Sequence, residues 1–242
     1  KSRSRGLGDV YKRQKYSQQE QVSLKSFSVF SFLLLIILNI GFIINSSFFR
    51  VDQIEINNKS KLFQSIDFSN IVLNQSIWLI DSDTFTSIKM NYPTVDRILV
   101  IKEYPNKIIL NIIEYEELIV ITDLRNSIPL RTVLFKNMSE VKSDQKFELA
   151  TLTISNGPVP PGFNGELVSM LMTLKNYNLT STSFSFIYNG NSFTGTYKNA
   201  FINFGPPIDL GIKAAALGSL LENADCSGDI RFITSEDIIA DC

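Results

Sequence analysis

The sequence predicts an α+β protein carried on a single N-terminal membrane helix, and three stretches carry that prediction. Residues 27–44, FSVFSFLLLIILNIGFII, hold no charge; with Phe48 and Phe49 the apolar run reaches about the 20 residues that cross a ~30 Å hydrocarbon layer. The β-branched runs 95–103 (VDRILVIKE) and 108–114 (IILNIIE), joined by Tyr104-Pro105-Asn106-Lys107, describe an antiparallel hairpin. After residue 116, short strand patterns alternate with two stretches of helical spacing, which together read as a mixed β-sheet carrying two helices.

The first fourteen residues, KSRSRGLGDVYKRQ, differ from the Asn/Ser/Ile-rich chain that follows, and DVYKRQ resembles a reading-frame translation of a transposase sequencing adapter. They are expected to be a library scar and are left out of fold reasoning. They carry five Lys/Arg against one Asp, so the balance of the remainder is more acidic. The membrane helix is expected over 27–49, with 1–26 as a tail. A cleaved signal peptide fits less well, because no small-x-small site follows the run and no alanine precedes Ala150. Asn39 and Gly41 are tolerable within one spanning helix. Lys15 and Lys25 before the run against Arg50, Lys59 and Lys61 after it leave orientation undecided by charge.

Residues 50–57, RVDQIEIN, place Ile54 and Ile56 on one face, a half-buried strand. A turn at 58–60 leads to a short helix over 63–73, with Ser65 or Asp67 as its N-cap. Residues 74–80, NQSIWLI, form an apolar link whose Trp78 is expected to pack between helices. Asp81-Ser82-Asp83 opens a second helix over 83–90, and Tyr92-Pro93 ends it before the hairpin. Strands are then expected over 117–122, 131–135 and 149–154, with Gly157 to Gly162 as a breaker run. Leu167, Met170, Leu171 and Leu174 define a helix over 166–177 with Asn164 as its cap. Strands over 182–188 and 192–197 meet across Asn189-Gly190-Asn191, and a third covers 200–204. An Ala/Leu-rich helix over 209–223, capped by Asp209, precedes closing strands at 228–233 and 237–240.

Composition narrows function. The formal net charge is −1 and no basic stripe follows the tail, which argues against a nucleic-acid partner. Histidine is absent, removing the commonest general base and metal ligand together. Cys226 and Cys242 are too few for a structural zinc site; they could form one disulfide outside the cytoplasm or remain free thiols. No phosphate loop, Gly-x-Ser-x-Gly or Ser-x-x-Lys occurs. The acidic pairs Asp81/Asp83 and Glu116/Glu117 read as capping or solvated residues. No catalytic residue, cofactor or metal is expected. What remains is protein contact, for which sheet edges with unpaired backbone groups are suited.

The order of parts resembles the FtsQ/DivIB family of bacterial division proteins, whose first extracytoplasmic module is a POTRA domain. The carrying residues are Val51 to Asn57 (VDQIEIN), Trp78-Leu79-Ile80-Asp81, and Tyr92-Pro93-Thr94-Val95-Asp96-Arg97 with Tyr104-Pro105-Asn106-Lys107 and the closing Glu114. Downstream they are Ile202-Asn203-Phe204-Gly205, Asp209-Leu210, Lys213, Leu217 and Asp229-Ile230-Arg231. The match spans about residues 27–240. It departs where Tyr115-Glu116-Glu117 replaces the basic residue that usually follows the hairpin's glutamate, and in the short stretch after the Asp-x-Arg strand. The resemblance implies a POTRA domain (β-α-α-β-β) over 50–116 and an FtsQ-type β domain over 117–242. It also implies a cytoplasmic N-terminus, extracytoplasmic domains and a place in the cell membrane at the division septum. It further implies a non-enzymatic divisome scaffold whose partners are FtsB-like and FtsL-like proteins, other divisome components and the bilayer. Partner-binding residues then fall at Phe232, Thr234, Ser235, Ile238 and Ala240, with the strand 237–240 as the docking edge. Competing readings are a POTRA-bearing transport or outer-membrane assembly factor, and a membrane-anchored cell-wall hydrolase; the first lacks repeated POTRA units or barrel strands, the second a catalytic constellation.

Overall fold

Helix α1 (Phe27–Asn45) is 19 residues of mean hydropathy 2.6 with none of its residues buried, long and apolar enough to cross a membrane. It belongs to a computed structural model that describes residues 27–58, 69–179, 181–223 and 226–242. The tail, residues 59–60 of the turn expected at 58–60 and residues 63–68 of the expected helix, with its caps Ser65 and Asp67, lie outside these residues. Asn39, the one amide inside the apolar run, donates to the Leu35 carbonyl four residues back at 2.7 Å, so the helix satisfies it internally.

The described residues divide into two compact units, one drawn from the ranges 1–57, 65–85 and 99–111, the other from 58–64, 86–98 and 112–242. The elements that follow α1 are β1 (Gln53–Asn58), α2 (Ser69–Val72), a 3₁₀ turn at Ser82–Phe85 that runs into α3 (Thr86–Asn91), β2 (Val95–Glu103) and β3 (Lys107–Glu114). Strands order β1-β3-β2 in a three-stranded sheet. In β3, Ile108, Leu110 and Ile112 alternate inward, as period two demands. In the first unit, Val51, Val72, Ile77, Ile80, Phe85, Ile108 and Leu110 are fully buried. Central strand β3 is tied to both neighbours through Lys107, whose ammonium meets Glu55 of β1 at 2.8 Å and Glu103 of β2 at 3.0 Å. Those two hydrogen bonds, Glu55 first, hold its pKa above the ordinary lysine value. The start of the second helix follows the sequence reading: Asp81 Oδ1 accepts from the amides of Asp83 and Thr84. Trp78 departs from it. Instead of packing between helices, the ring is 44% exposed and lies against Phe49 and Tyr104.

Residues 117–242 build a nine-stranded mixed sheet, β12-β11-β10-β9-β8-β7-β4-β5-β6. Its strands are β4 (Glu117–Asp123), β5 (Leu130–Phe135), β6 (Glu140–Lys142), β7 (Ala150–Ile154), β8 (Phe184–Tyr188), β9 (Phe193–Tyr197), β10 (Ala200–Gly205), β11 (Asp229–Phe232) and β12 (Ile238–Ala240). Helices α4 (Phe163–Asn176) and α5 (Leu210–Asn223) are the crossovers of the parallel pairs β7/β8 and β10/β11. Strands β8 and β10 each run antiparallel to β9 and so parallel to one another. Two right-handed crossovers stepping the same way along the sheet must put both helices on one face. Leu167, Met170, Leu171, Leu174, Leu210, Ala214 and Leu217 close that face over Leu152, Phe184, Phe186, Phe193, Phe204 and Ile230. The opposite face at β7, β8 and β9 is set with Thr151, Ser185 and Thr196, all exposed. The helices approach closely because α5 presents Gly218 to α4's end: a Cβ there would lie 2.4 Å from the Tyr177 ring.

Two cap expectations are corrected. Asn164 lies inside α4, which starts one residue earlier after Gly162 at φ 79° with no side-chain cap. At α5, Asp209 sits at φ 55° with its carboxylate turned to Ser235, and the first amide of the helix, that of Leu210, is instead accepted by Glu166 Oε2 of α4 at 2.8 Å. A tertiary partner has replaced the local one, and no local pattern encodes it. Strand β6, polar and three residues long, also had no sequence signal.

Candidate partner-binding edge

The closing residues are placed by a short hairpin. Strand β11 hydrogen-bonds to β10 on one side and β12 on the other, with Ile230 opposite Ala240, Arg231 opposite Ile239 and Phe232 opposite Ile238. Among the described residues, no strand of the sheet lies beyond β12. The Ile233 amide donates to the Asp237 carbonyl at 3.0 Å and the Asp241 amide to the Asp229 carbonyl at 2.9 Å. Antiparallel pairs alternate between bonded and non-bonded positions, so Arg231/Ile239 is a bonded pair and the N–H and C=O groups of Ile238 and Ala240 point outward from the sheet. These are the groups an added strand would use.

The inner side of this hairpin is pinned at several points. Phe232 stacks on Phe204 with centroids 5.4 Å apart and planes 12° apart, and Ile238 and Ala240 are half-buried against the core beneath α5 and α4. In the turn, Thr234 Oγ1 accepts from the Asp237 and Glu236 amides and donates to Asp237 Oδ2 at 2.9 Å. Ser235 Oγ donates to Asp209 Oδ2 at 2.9 Å, tying the turn to the start of α5. A disulfide joins Cys226, before β11, to Cys242, after β12. Gly228 lets the strand end pass: a Cβ there would fall 1.8 Å from the Asp241 carbonyl oxygen. Beneath α5's first turn, Lys213 is buried and donates to the Phe204 and Pro206 carbonyls at 2.8 and 2.9 Å. Burial pulls its pKa below the lysine value, opposed by the charges of Asp209 and Glu166.

No family model matches the chain, and no curated protein matches its sequence.

All five residues expected to bind a partner thus lie in one hairpin, but in different roles. Phe232, Thr234 and Ser235 spend their side chains on the fold. Ile238 and Ala240 carry the outward backbone. The apolar surface the sequence reading missed is that of Ile239 and Ile233, 59% and 66% exposed on the face opposite the helices. Period two would have found it, since adjacent isoleucines in a strand cannot both face the core.

The two borders of the sheet differ. The far edge β6 is Glu140-Val141-Lys142, with Glu140 bonded to Thr132 and Asn164. Charged side chains on a short strand discourage strand addition. In β12 the residues are Ile238-Ile239-Ala240, without charge. A surface cleft of about 400 Å³ near the start of α4 contains Asp123, Arg125, Glu140 and Asn164, but these pair among themselves. Among the described residues no group of three or more His, Cys, Asp or Glu is placed to hold a metal ion.

Proposed function

We propose that this chain is a membrane-anchored scaffold of the FtsQ/DivIB kind. It is non-enzymatic, links early and late cell-division proteins, and helps to control septal peptidoglycan synthesis through protein contacts. Its docking edge is β12, to which a segment of an FtsB-like or FtsL-like protein adds as a further strand. The observation that carries the reading is the position of β12: an uncharged border strand whose Ile238 and Ala240 backbone groups face outward. The order strand, helix, helix, strand, strand after α1 supports a first module of POTRA type at 50–116. The Cys226–Cys242 disulfide supports an oxidising surrounding for the globular part, hence a cytoplasmic N-terminus and extracytoplasmic domains.

Ile238→Pro is the discriminating variant. It removes an outward N–H without removing a bond to β11, and proline is tolerated on edge strands facing solvent. The full chain carrying it is expected to keep its circular dichroism spectrum, with a urea midpoint lowered only by the lost packing of the Ile238 side chain, and to lose co-purification with an FtsB-like partner. Undiminished capture by a folded variant refutes docking at β12. A charge at Thr234 discriminates less well, because that hydroxyl organises the turn. A fluorescent fusion of the full chain is expected at midcell; uniform membrane fluorescence counts against a divisome role.

A further inference from the structure

The aromatic row beside the end of α1 has no role in the core or in the docking edge. Phe48 meets Phe49 at 5.1 Å between centroids, Phe49 meets Trp78 at 5.5 Å, and Trp78 meets Tyr104 at 4.7 Å. Phe48, Trp78 and Tyr104 are 64%, 44% and 54% exposed, and Leu79, next to Trp78, is 67% exposed. The row belongs to the same compact unit as α1. The backbone fixes it there: Ser46 ends the helix and caps the 3₁₀ turn Ser47–Phe49, Arg50 bridges Ser76, and the Ile77 amide donates to the Phe49 carbonyl at 2.8 Å.

We propose that Phe48, Phe49, Trp78 and Tyr104, with Leu79, form a seat that holds the first globular unit in the headgroup and upper acyl-chain layer of a phospholipid bilayer. The inference rests on α1 spanning that bilayer. Depth is its main argument. Nineteen residues at 1.5 Å each give about 28 Å, roughly the whole hydrocarbon thickness, so α1 ends where the hydrocarbon ends. Phe48 follows three residues later, within about 10 Å of chain, and so falls among headgroups. Trp and Tyr, apolar bodies with a polar tip, are the side chains enriched at that depth. Charge agrees: exposed Arg50 follows Phe49 directly, and Lys102 Nζ donates to the Trp78 carbonyl at 3.4 Å, bringing a cation to the row where lipid phosphates would lie. Exposed apolar rings in continuity with a membrane helix are covered by lipid at no further cost in chain entropy, since the clamp at residues 49–51 has already ordered them.

Trp78 is the only tryptophan in the chain and reports its own depth. The full chain is reconstituted at low protein-to-lipid ratio in phosphatidylcholine/phosphatidylglycerol vesicles whose acyl chains carry bromine either near the headgroup or near the bilayer centre. Shallow bromine is expected to remove about half of the Trp78 emission and deep bromine much less. The variant Phe48→Ser/Leu79→Ser is expected to float with the vesicles as before and to lose most of the shallow quenching. Emission unaffected by either lipid and open to aqueous iodide, in vesicles that still carry the chain, overturns the seat while leaving the membrane helix intact. Quenching unchanged in the double variant, or altered only as protein density rises, also overturns it; the latter marks contact between copies. A chain that fails to float removes both the anchor and the seat.

Discussion

Reducing the Cys226–Cys242 bond should weaken the large sheet by an amount its loop length sets. The cross-link closes a loop with a sequence separation of 16, and the chain-entropy treatment of a loop of that size gives about 3 kcal/mol at 25 °C. The loop contains β11, the turn at Thr234 to Asp237 and all of β12, so the constraint is spent on the border strand of the sheet. Urea unfolding of the full chain in detergent, followed by near-ultraviolet circular dichroism with and without reductant, measures it. Trp78 fluorescence serves as an internal reference, because the ring lies in the other unit. With a slope of about 2 kcal/mol/M, the midpoint of the large-sheet transition should fall by about 1.5 M on reduction. The amide of Ile239, bonded back to β11, should then exchange with solvent about a hundredfold faster. Equal midpoints in both redox states, with the bond demonstrably formed in one, would refute the claim that this loop holds the edge in place.

Phe186→Ala removes the ring that stacks on Phe184 and Phe193 at the centre of the core, fully buried, and should cost about 3–5 kcal/mol in the same assay; a loss below about 1 kcal/mol would mean the aromatic cluster is not where stability resides. Asp123 is gripped by both arms of Arg125 at 2.9 and 2.6 Å, and that hydrogen bonding holds its carboxyl below the ordinary Asp value. Its stabilisation is therefore complete above the unfolded pKa near 3.8 and is lost as pH falls through the lower folded value, so Asp123→Asn should cost about 1 kcal/mol at neutral pH and progressively less below pH 3.8. A cost independent of pH would exclude the ion pair as its origin. Gly228→Ala drives a methyl into the Asp241 carbonyl and should release β12, seen as at least about tenfold faster exchange at Ile239 with the β8 amides unchanged; equal protection at both would show that the strand end has room to move.

Much of the fold was legible because its signals are local. The hairpin of β2 and β3 announces itself by β-branched runs about a Tyr-Pro-Asn-Lys turn, and the structure gives β2 the predicted bounds. The Asp81 cap is equally local, since its partners are two and three residues away. What failed was non-local. Asp209 looks like a cap, yet Glu166, 43 residues earlier in the sequence, supplies the acceptor, freeing Asp209 to hold Ser235. Strand β6 exists because β5 offers it a partner, against its own composition. The closing hairpin was legible as two strands but not as a division of labour: that Thr234 is consumed by its turn, while exposed Ile239 is left over, depends on which backbone groups face β11.

That division of labour bears on what a partner must bring. The disulfide, Gly228, the Ser235–Asp209 bond and the Phe232–Phe204 stack all act on the inner side of the hairpin, so the outer side is ordered before anything binds. A segment adding at the proposed edge would lose its own conformational freedom without also having to order the receptor edge, which would raise affinity for a given number of contacts. Only Ile238 and Ala240 present outward backbone, enough to register about three residues of added strand. So short a ladder gives little discrimination by itself, and specificity must come from alternate side chains. The residue of the added strand level with Ile239 falls on the outer face, where Ile239 and Ile233 are bare; those level with Ile238 and Ala240 fall on the face the helices cover. If β12 is the docking edge proposed above, a partner segment with an apolar residue level with Ile239 would be selected over one with a charge there. Ile239→Asp, which leaves the backbone ladder untouched, should separate side-chain recognition from strand addition: a loss of capture as complete as that of Ile238→Pro would place the specificity of this edge in the exposed isoleucines.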